Sequence, residues 1–369
     1  MKIASYNVEN LFLRARALNE GTESTGQEVL KKHAEINAIF NKDKYTAADK
    51  NRIVELMDEL GLAKTDDGPF VILRQNKGKL LKRPKTGGIE ILADGRSEWV
   101  GWLDLQIEQV DEVATRNTAR VIKDVNADVL AVVEAESRPA LVRFSEQVMP
   151  TVGGDPYQHI MLIDGNDDRG IDVGIMLRNG YEISLMRSHV DDADNVGRIF
   201  SRDCAEYVIR SPEGPEVVVL VNHFKSKGFG TQGDSNKKRE RQARRVKQIY
   251  GDLVAAGVAN VAVVGDFNDT PGSQPLAALL QDTNLRDVST HAAFNDGGRP
   301  GTYANGTASE KIDYILLSPP LFAGVKQGGI FRMGVWGGKN GDIFPHYPEV
   351  TKPGEAASDH AAIWAEVDL

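Results

Sequence analysis

Polar residues with the chemistry of a phosphoryl-transfer site recur where separate apolar, strand-like segments end. In VVGDFNDTPG, residues 263–272, an acid and an amide, Asp266 and Asn268, follow the apolar run VAVVG. Successive side chains of a strand point to opposite faces, so Asp266 and Asn268 would project together while Phe267 points away. Asp and Asn are also ordinary turn residues, and a hairpin exit would explain this stretch alone equally well.

Further candidates come from other strand-like segments, and each has a plainer explanation when taken singly. An Asn at a strand end is typical of a turn, a single His is commonly a satisfied core residue, and an Asp-His pair is usually at the surface. A carboxylate buried without a partner would be costly, and Asp is depleted in strands, so the acids require cations or donors. These candidates are Asn7 after KIASY, Glu134 in VLAVVEAE, His223 after VVVLVN, Asp313 in KIDYILLS, and Asp359 with His360 before the last strand.

Together these residues are the hard oxygen ligands and imidazoles that a phosphoryl-transfer site with Mg²⁺ or Mn²⁺ requires. Chance placement of all six groups at strand ends would be unusual. A scaffold stabilised by Ca²⁺ would explain the carboxylates but would leave both histidines without a role.

Composition is that of an ordinary globular protein, with 41% apolar and 26% charged residues in 369. The net charge of −9 (44 basic minus 53 acidic residues) argues against coating nucleic acid or an anionic membrane through overall charge, but a local basic groove remains compatible. The single cysteine, Cys204, excludes an intramolecular disulfide and is expected to be a buried, inert thiol.

With no signal-like N-terminus and no run of about 18 apolar residues, we expect a cytoplasmic protein, or a secreted one whose leader has been removed.

The positioning elements begin with a strand, a helix and a second strand, interrupted by an insertion at about 13–112. The residue pattern of the insertion predicts helices at about 28–40 and 47–62. It also predicts two hairpins, one turning at 76–78 and the other at Asp94-Gly95. Later strands are apolar throughout, which favours sheets covered on both faces.

The motifs SYNVENLF, ADVLAVVEAES, RGIDVGIML, NHFKSKG, VVGDFNDTP, KIDYILLS and SDHAAIWAEV occur in the order found in the endonuclease/exonuclease/phosphatase superfamily, which this chain resembles from Lys2 to Val367 outside the insertion. The resemblance implies an α/β fold, a four-layered α/β sandwich in which two mixed β-sheets pack face to face with outer helices. It also implies one catalytic domain over residues 1–369, with the insertion capping its site.

The resemblance implies a cation site whose core is Asn7 and Glu134, with Glu134 as direct ligand. Asp359 would complete it, and Glu9 would share the face of Asn7. Many relatives carry Gln where this chain has Val133. This difference puts in doubt a hydrogen bond that would support the metal ligands, but not the metal site itself.

The same resemblance assigns roles at the phosphoryl group. Asp266 would orient or deprotonate the attacking water or help to hold a second metal, and Asn268 would bind a phosphate oxygen or that metal. His360, positioned by Asp313, would contact the scissile group from one flank, and His223 from the other.

Basic residues supply candidate substrate contacts. Arg169 would grip phosphate, with a salt bridge to Asp167, Asp168 or Asp172 as the alternative. Lys225 and the run from Lys237 to Lys247 resemble a nuclease loop, although a solvated helix face is the more ordinary explanation. The insertion adds Arg74, Lys77, Lys79, Lys82, Arg83 and Lys85 beside Trp99 and Trp102, which we expect to be core aromatics rather than stacking surfaces.

We therefore predict a divalent-metal-dependent phosphodiesterase that hydrolyses P–O bonds and whose substrate is DNA or RNA. The sequence indicates no membrane span and no obligate protein partner. A phosphodiesterase or phosphatase for a small-molecule or lipid phosphate is the alternative, favoured by the acidic charge and the large insertion. A non-catalytic binding protein on the same fold is a weaker alternative, because such a protein would be expected to lose at least one of these polar residues.

Overall fold

A computed structural model describes residues 1–9, 11–19, 23–167, 169–212, 214–227 and 231–369. Within these residues the strands are β1 (Lys2–Asn7), β2 (Leu13–Ala15), β3 (Val71–Lys77), β4 (Leu81–Lys82), β5 (Glu90–Ile91), β6 (Val100–Leu105), β7 (Ile107–Gln109), β8 (Val129–Ala135), β9 (His159–Ile163), β10 (Asp172–Leu177), β11 (Glu182–Arg187), β12 (Ala193–Asp194), β13 (Gly197–Arg198), β14 (Cys204–Arg210), β15 (Val217–His223), β16 (Val261–Asp266), β17 (Arg286–Asp287), β18 (Phe294–Asn295), β19 (Asp313–Leu317), β20 (Val325–Phe331) and β21 (Ala362–Val367). The α-helices are α1 (Arg16–Asn19), α2 (Glu23–Phe40), α3 (Ala47–Glu59), α4 (Glu112–Val125), α5 (Arg138–Arg143), α6 (Gln232–Ala255), α7 (Ala277–Leu280) and α8 (Pro319–Ala323).

The chain divides into two compact units. The sandwich unit contains residues 1–12, 110–227 and 231–369, and the inserted unit contains 13–109. That the insertion caps the catalytic site remains a prediction.

Two large mixed sheets form the centre of the sandwich unit. The seven-stranded sheet has the order β18-β20-β21-β1-β8-β10-β9, and the six-stranded sheet has the order β11-β14-β15-β16-β19-β17. In each sheet one central pair is parallel, β1 with β8 and β15 with β16, and antiparallel partners flank it. One apolar cluster joins both inner faces, with Ile3, Val129 and Val173 from one sheet and Val219 and Val264 from the other.

Helices cover the outer faces of both sheets. The apolar side of α4, including Val121 and Val125, packs in one cluster with Tyr6 and Val132 of the seven-stranded sheet. On the six-stranded sheet, the apolar side of α6 packs in a second cluster with residues of β15 and β16. The predicted four-layered sandwich with outer helices is therefore confirmed.

The inserted unit contains the two predicted helices, but its predicted hairpins are wrong. Strand β3 pairs with β6, and β4 pairs with β5, so a short hairpin is nested inside a longer one. Turn residues and strand propensity locate segments and reversals, but they do not say which strands pair. Trp99 is fully buried as expected, whereas the expectation for Trp102 is wrong because 44% of it is exposed.

Two simpler expectations concern the chain as a whole. Cys204 is fully buried, and burial raises the pKa of its thiol well above its usual value, in agreement with an inert core residue. Among the described residues, none of the helices combines the length and the apolar character that crossing a bilayer requires.

Candidate active site

Three ionisable residues lie side by side on neighbouring strands of the six-stranded sheet. In register, His223 at the end of β15 is opposite Asp266 at the end of β16, and Asp266 is opposite Asp313 at the start of β19. Residues opposite each other on paired strands project from the same face. The fold therefore forms a row of one imidazole and two carboxylates from residues far apart in sequence.

The acid and amide of VVGDFNDTPG are neighbours, although the strand does not extend through both. Strand β16 ends at Asp266, and Asn268 has a left-handed backbone with φ of 54°. The backbone N–H of Asn268 donates to Oδ1 of Asp266 at 2.8 Å, and its side-chain Nδ2 donates to Oδ2 at 3.1 Å. Phe267 points away and stacks between Phe224 and Tyr314, with ring centroids 4.8 Å apart in each pair. A tight turn, rather than continued strand alternation, brings the two polar groups together.

His360 is held at the row by Asp313. Its Nδ1 lies 2.8 Å from Oδ2 of Asp313, which leaves Nε2 directed at 4.0 Å from Oδ2 of Asp266 and 3.5 Å from Nδ2 of Asn7. The hydroxyl of Thr302 also donates to Oδ2 of Asp313, at 2.6 Å. Thr302 was missed at the sequence level, because a threonine in a loop before a strand gives no signal of such a contact.

Two further acids lie beside Asn7: Glu9, two residues after it, and Asp359, in the loop before β21. The backbone N–H of Asp359 donates to Oε2 of Glu9 at 3.1 Å, and Oδ1 of Asp359 lies 3.8 Å from Nε2 of His360. Ser358 fastens this loop to β1, since its hydroxyl donates to the carbonyl of Asn7 at 2.8 Å. Asn7 itself donates through Nδ2 toward Oδ2 of Asp266 at 3.4 Å.

Glu134 reaches the row through a β-bulge. The register between β8 and β10 shifts at this point, and Glu134 has a left-handed φ of 64° inside an otherwise regular strand. A bulge bends the strand and re-aims a side chain. As a result, Oε1 of Glu134 lies 3.6 Å from Nε2 of His223, the same nitrogen that lies 3.6 Å from Oδ2 of Asp266.

Electrostatics separate the two histidines. Burial opposes the charged form of His360, but Asp313, Asp359 and Asp266 outweigh it and raise the pKa of this imidazole well above its usual value. For His223, burial and the nearby guanidinium groups of Arg202 and Arg169 lower the pKa well below its usual value. The protein therefore favours a charged imidazole on one side of Asp266 and a neutral one on the other.

The same surroundings make Asp266 unusual among buried acids. Burial and the negative charge of Asp313 raise the pKa of Asp266 to about 8. Oδ1 of Asp313 and Nδ1 of His223 are buried and have no hydrogen-bond partner among the described residues. Ligand atoms of Asp266, Asp313 and His360 lie within 4.8 Å of one another, and Glu134 and Asp359 add oxygens. Crowded, buried oxygen donors of one charge fit a hard divalent cation, which would relieve their repulsion.

The two basic residues predicted to contact substrate, Arg169 and Lys225, lie on the flank of His223. Arg169 forms the alternative salt bridge, because Nε and Nη2 each donate to Asp167 at 2.8 Å; Asp168 lies outside the described residues. Arg202, fully buried and not predicted, shares Asp167 at 3.1 Å. Burial, together with Arg169 and Arg202, lowers the pKa of Lys225 to about 8. Arg169, Arg202 and Lys225 therefore bring three cations to this flank, beside Asp167.

The basic run in α6 is mostly committed to structure. Arg239 is fully buried against Asp269 at 3.0 Å, Arg241 pairs with Asp194, and Arg245 pairs with Asp192. Most of its charge is therefore matched by acids, which agrees with the more ordinary explanation of this run.

Comparison with known proteins supports the geometry at the level of the fold. Residues 81–328 match the model of the Endonuclease/Exonuclease/phosphatase family. An endonuclease/exonuclease/phosphatase family protein from Bacteroides thetaiotaomicron is similar in structure, with 18% identity, a TM-score of 0.50, and coverage of 70% of this chain and 90% of that one. A mannosyl-6-phosphatase from the same organism is similar with 17% identity, a TM-score of 0.50, and coverage of 70% and 92%. No curated protein sequence matches the chain.

Proposed function

Since the chain belongs to the endonuclease/exonuclease/phosphatase family, we propose that it is a divalent-metal-dependent phosphodiesterase that hydrolyses P–O bonds in DNA or RNA. The observation that carries this proposal is the row formed by His223, Asp266 and Asp313, with His360 held against it by Asp313 at 2.8 Å. Buried charges cost free energy unless they are paired or ligated. A catalytic site that binds a cation therefore explains this group of charges better than a structural role does.

In the proposed reaction, the ionised form of Asp266 holds a water molecule against the phosphorus atom and receives its proton as the new P–O bond forms. His360, kept charged by Asp313, donates hydrogen bonds to the phosphoryl oxygens and stabilises the charge that grows on them. His223, neutral on the opposite flank, orients the phosphoryl group beside Glu134. The existing P–O bond breaks, and the leaving oxygen takes a proton from solvent or from an imidazolium.

Asn7, Glu134, Asp266 and Asp359 would hold the divalent cation, with Glu9 beside them. When bound, such a cation polarises the phosphoryl oxygen and offsets negative charge. Mg²⁺ and Mn²⁺ suit this oxygen-rich set, and Ca²⁺ is the further option for the same donors.

Substrate contacts are proposed for three residues. Asn268, whose Nδ2 donates to Oδ2 of Asp266 and to the carbonyl of Phe224, would exchange one of these bonds for a phosphate oxygen beside the water held by Asp266. Arg169 and Lys225 would attract the phosphate backbone from the flank of His223, where Arg202 adds a third cation. An arginine held in place by a carboxylate is a planar, charged fork whose geometry matches phosphate.

A plasmid assay tests this function. Supercoiled plasmid and a single-stranded RNA are incubated with Mg²⁺ or Mn²⁺, and EDTA is expected to stop cleavage of whichever is the substrate. His360→Ala should lose cleavage, whereas His159→Ala, which removes an exposed histidine at the start of β9, should retain it. Intact plasmid and intact RNA under every metal condition would contradict a nuclease.

A small-molecule or lipid phosphate ester is the second candidate substrate. The net charge of −9 favours it, since a chain of that charge repels long polyanions except at local basic patches. This candidate predicts hydrolysis of bis(p-nitrophenyl) phosphate with plasmid and RNA left intact.

A further inference from the structure

The inserted unit presents an exposed tryptophan and two cations, Arg74 and Lys77, on one face of a two-stranded ribbon. Strands β3 and β6 pair antiparallel with Arg74 opposite Trp102. The other face of the ribbon packs inward, where Val71, Leu73 and Leu103 are buried. We call the outward side, made of Arg74, Lys77, Trp102 and Asp104, the ribbon face.

A β-bulge adds Lys77 to this face. Gln75 pairs with Gly101 and Lys77 with Val100, so Asn76 is an extra residue on β3. Because Val100 lies two residues from Trp102, it points to the same side, and Lys77 opposite Val100 points there as well. Without the bulge, the period of two would turn Lys77 toward the core side, away from Arg74.

The Trp102 ring is fixed in position by its neighbours. Its Nε1 donates to Oδ1 of Asp104 at 2.6 Å, and Nε of Arg74 donates to Oδ2 of the same carboxylate at 2.8 Å. Beneath it, a Cβ on Gly101 would lie 2.5 Å from the buried ring of Trp99, so only glycine lets the ribbon lie this close to the core. The indole is thus exposed over 44% of its surface while its polar atom is already satisfied. Its π-face remains as the part that a ligand can use.

Basic residues are concentrated in the stretch of chain that contains β3. Residues 71–85 contain six basic residues and no acid: Arg74, Lys77, Lys79, Lys82, Arg83 and Lys85. Given the net charge of −9, the rest of the chain carries −9 − 6 = −15. Arg83 pairs with Asp66 and Lys82 with Glu90, whereas Lys77, Lys79 and Lys85 are exposed and form no ion pair with any residue that the structure describes.

We propose that the ribbon face binds single-stranded nucleic acid, with a base stacked on Trp102 and the phosphates held by Arg74 and Lys77 and by Lys79 just beyond β3. An exposed aromatic ring with cations beside it suits single strands, because their bases expose π-faces that a duplex conceals. Arg74 is paired with Asp104, whereas Lys77 and Lys79 form no ion pair with the described residues. This inference rests on the proposed function, because it identifies nucleic acid as the substrate class. It adds a binding surface built wholly from residues of the inserted unit.

The test measures binding without cleavage. Fluorescence anisotropy follows a labelled oligo(dT) of about 12 nucleotides, within the range that one such surface engages, in buffer containing EDTA. Trp102→Ala is expected to weaken binding by about tenfold or more, and Trp102→Phe, which keeps a stacking ring, by clearly less. Lys77→Gln with Lys79→Gln should lower the slope of log K against log salt by about 0.7 for each phosphate that the variant no longer neutralises. Lys64→Gln, an exposed lysine of the same unit outside residues 71–85, is the matched control and should leave the slope unchanged.

Each outcome decides the proposal. Absence of oligonucleotide binding at low salt, equal binding by Trp102→Ala, or equal competition by duplex would overturn it. If the protein hydrolyses bis(p-nitrophenyl) phosphate but binds no oligonucleotide, the result contradicts binding by the ribbon face and supports phosphodiesterase activity. If the protein binds oligonucleotide through Trp102 but cleaves no phosphodiester, the result supports binding by the ribbon face and contradicts the proposed function.

Discussion

Oδ2 of Asp313 receives two donors, Nδ1 of His360 at 2.8 Å and the hydroxyl of Thr302 at 2.6 Å. The carboxylate therefore fixes the imidazole ring and directs Nε2 toward Asp266, 4.0 Å away. A buried carboxylate that both orients and charges an imidazole has two separable effects, one on geometry and one on protonation.

Asp313→Asn should expose both effects. Asparagine keeps an oxygen at this position but removes the charge that most strongly raises the pKa of His360. If the imidazolium is the active form, the rate falls as pH rises through that pKa, so the variant should lose its rate at lower pH than wild type does. At the optimum we expect a loss of roughly 10²- to 10⁴-fold. A pH profile of kcat/KM checks this, and an unchanged alkaline limb would contradict the assignment of His360.

Thr302→Val tests the orientation of Asp313 separately from its charge. Valine is nearly the same size but donates no hydrogen bond, so the carboxylate loses one of its two fixed donors. We expect kcat to fall about tenfold with KM nearly unchanged, and Thr302→Ser to restore most of the rate. A change confined to KM would show that Thr302 acts on substrate instead.

We expect Glu134 to lower the free energy of unfolding while it supports activity. Its left-handed backbone, with φ of 64°, is strained for any residue with a Cβ but not for glycine. Glu134→Gly is therefore expected to abolish activity and to raise the free energy of unfolding by about 1 kcal/mol.

Glu134→Gln is the matched control, because it removes the charge but keeps the strained backbone. Glu134→Gln should lose activity, but its free energy of unfolding should not include the increase that Glu134→Gly obtains from relief of the strained backbone. Urea unfolding of both variants measures the difference, and a glycine variant less stable than the glutamine one would show that the bulge is not strained.

Asp172 gives a prediction for stability that does not depend on catalysis. Burial raises the pKa of Asp172 to about 6, although the backbone N–H of Gly165 donates to it and opposes the shift. The folded protein thus binds this proton more tightly than the unfolded chain, whose Asp pKa is about 3.9. The stabilising contribution is present below about pH 4 and is lost as pH rises to about 6, a change of about 2 to 3 kcal/mol.

Asp172→Asn keeps the acceptor for Gly165 and removes the titration. We expect it to be more stable than wild type at pH 7 by about 1 to 2 kcal/mol, with the advantage shrinking toward pH 4. Urea unfolding at the two values checks this. An advantage that is equal at pH 4 and pH 7 would exclude Asp172 as its source.

Parts of the site were predictable because local pattern determined them. The adjacency of Asp266 and Asn268 was predicted, although a turn and not the expected strand alternation produces it, and motif order was sufficient to predict the sandwich. Bulges and strand pairing were not predictable: the backbone of Glu134 depends on its register with β10, and the hairpins of the inserted unit exchange partners although their turn residues were recognised. The exposure of Trp102 follows from that same pairing, which places it opposite Arg74 on the outer face.

The most direct test of the catalytic site is the initial rate of bis(p-nitrophenyl) phosphate hydrolysis with Mn²⁺, because it requires no assumption about the natural substrate. The wild-type protein and His159→Ala should hydrolyse it and stop with EDTA, while His360→Ala should be slower by roughly 10²- to 10⁴-fold. No hydrolysis with any divalent cation, or a His360→Ala rate equal to that of wild type, would contradict a phosphodiesterase built on these residues.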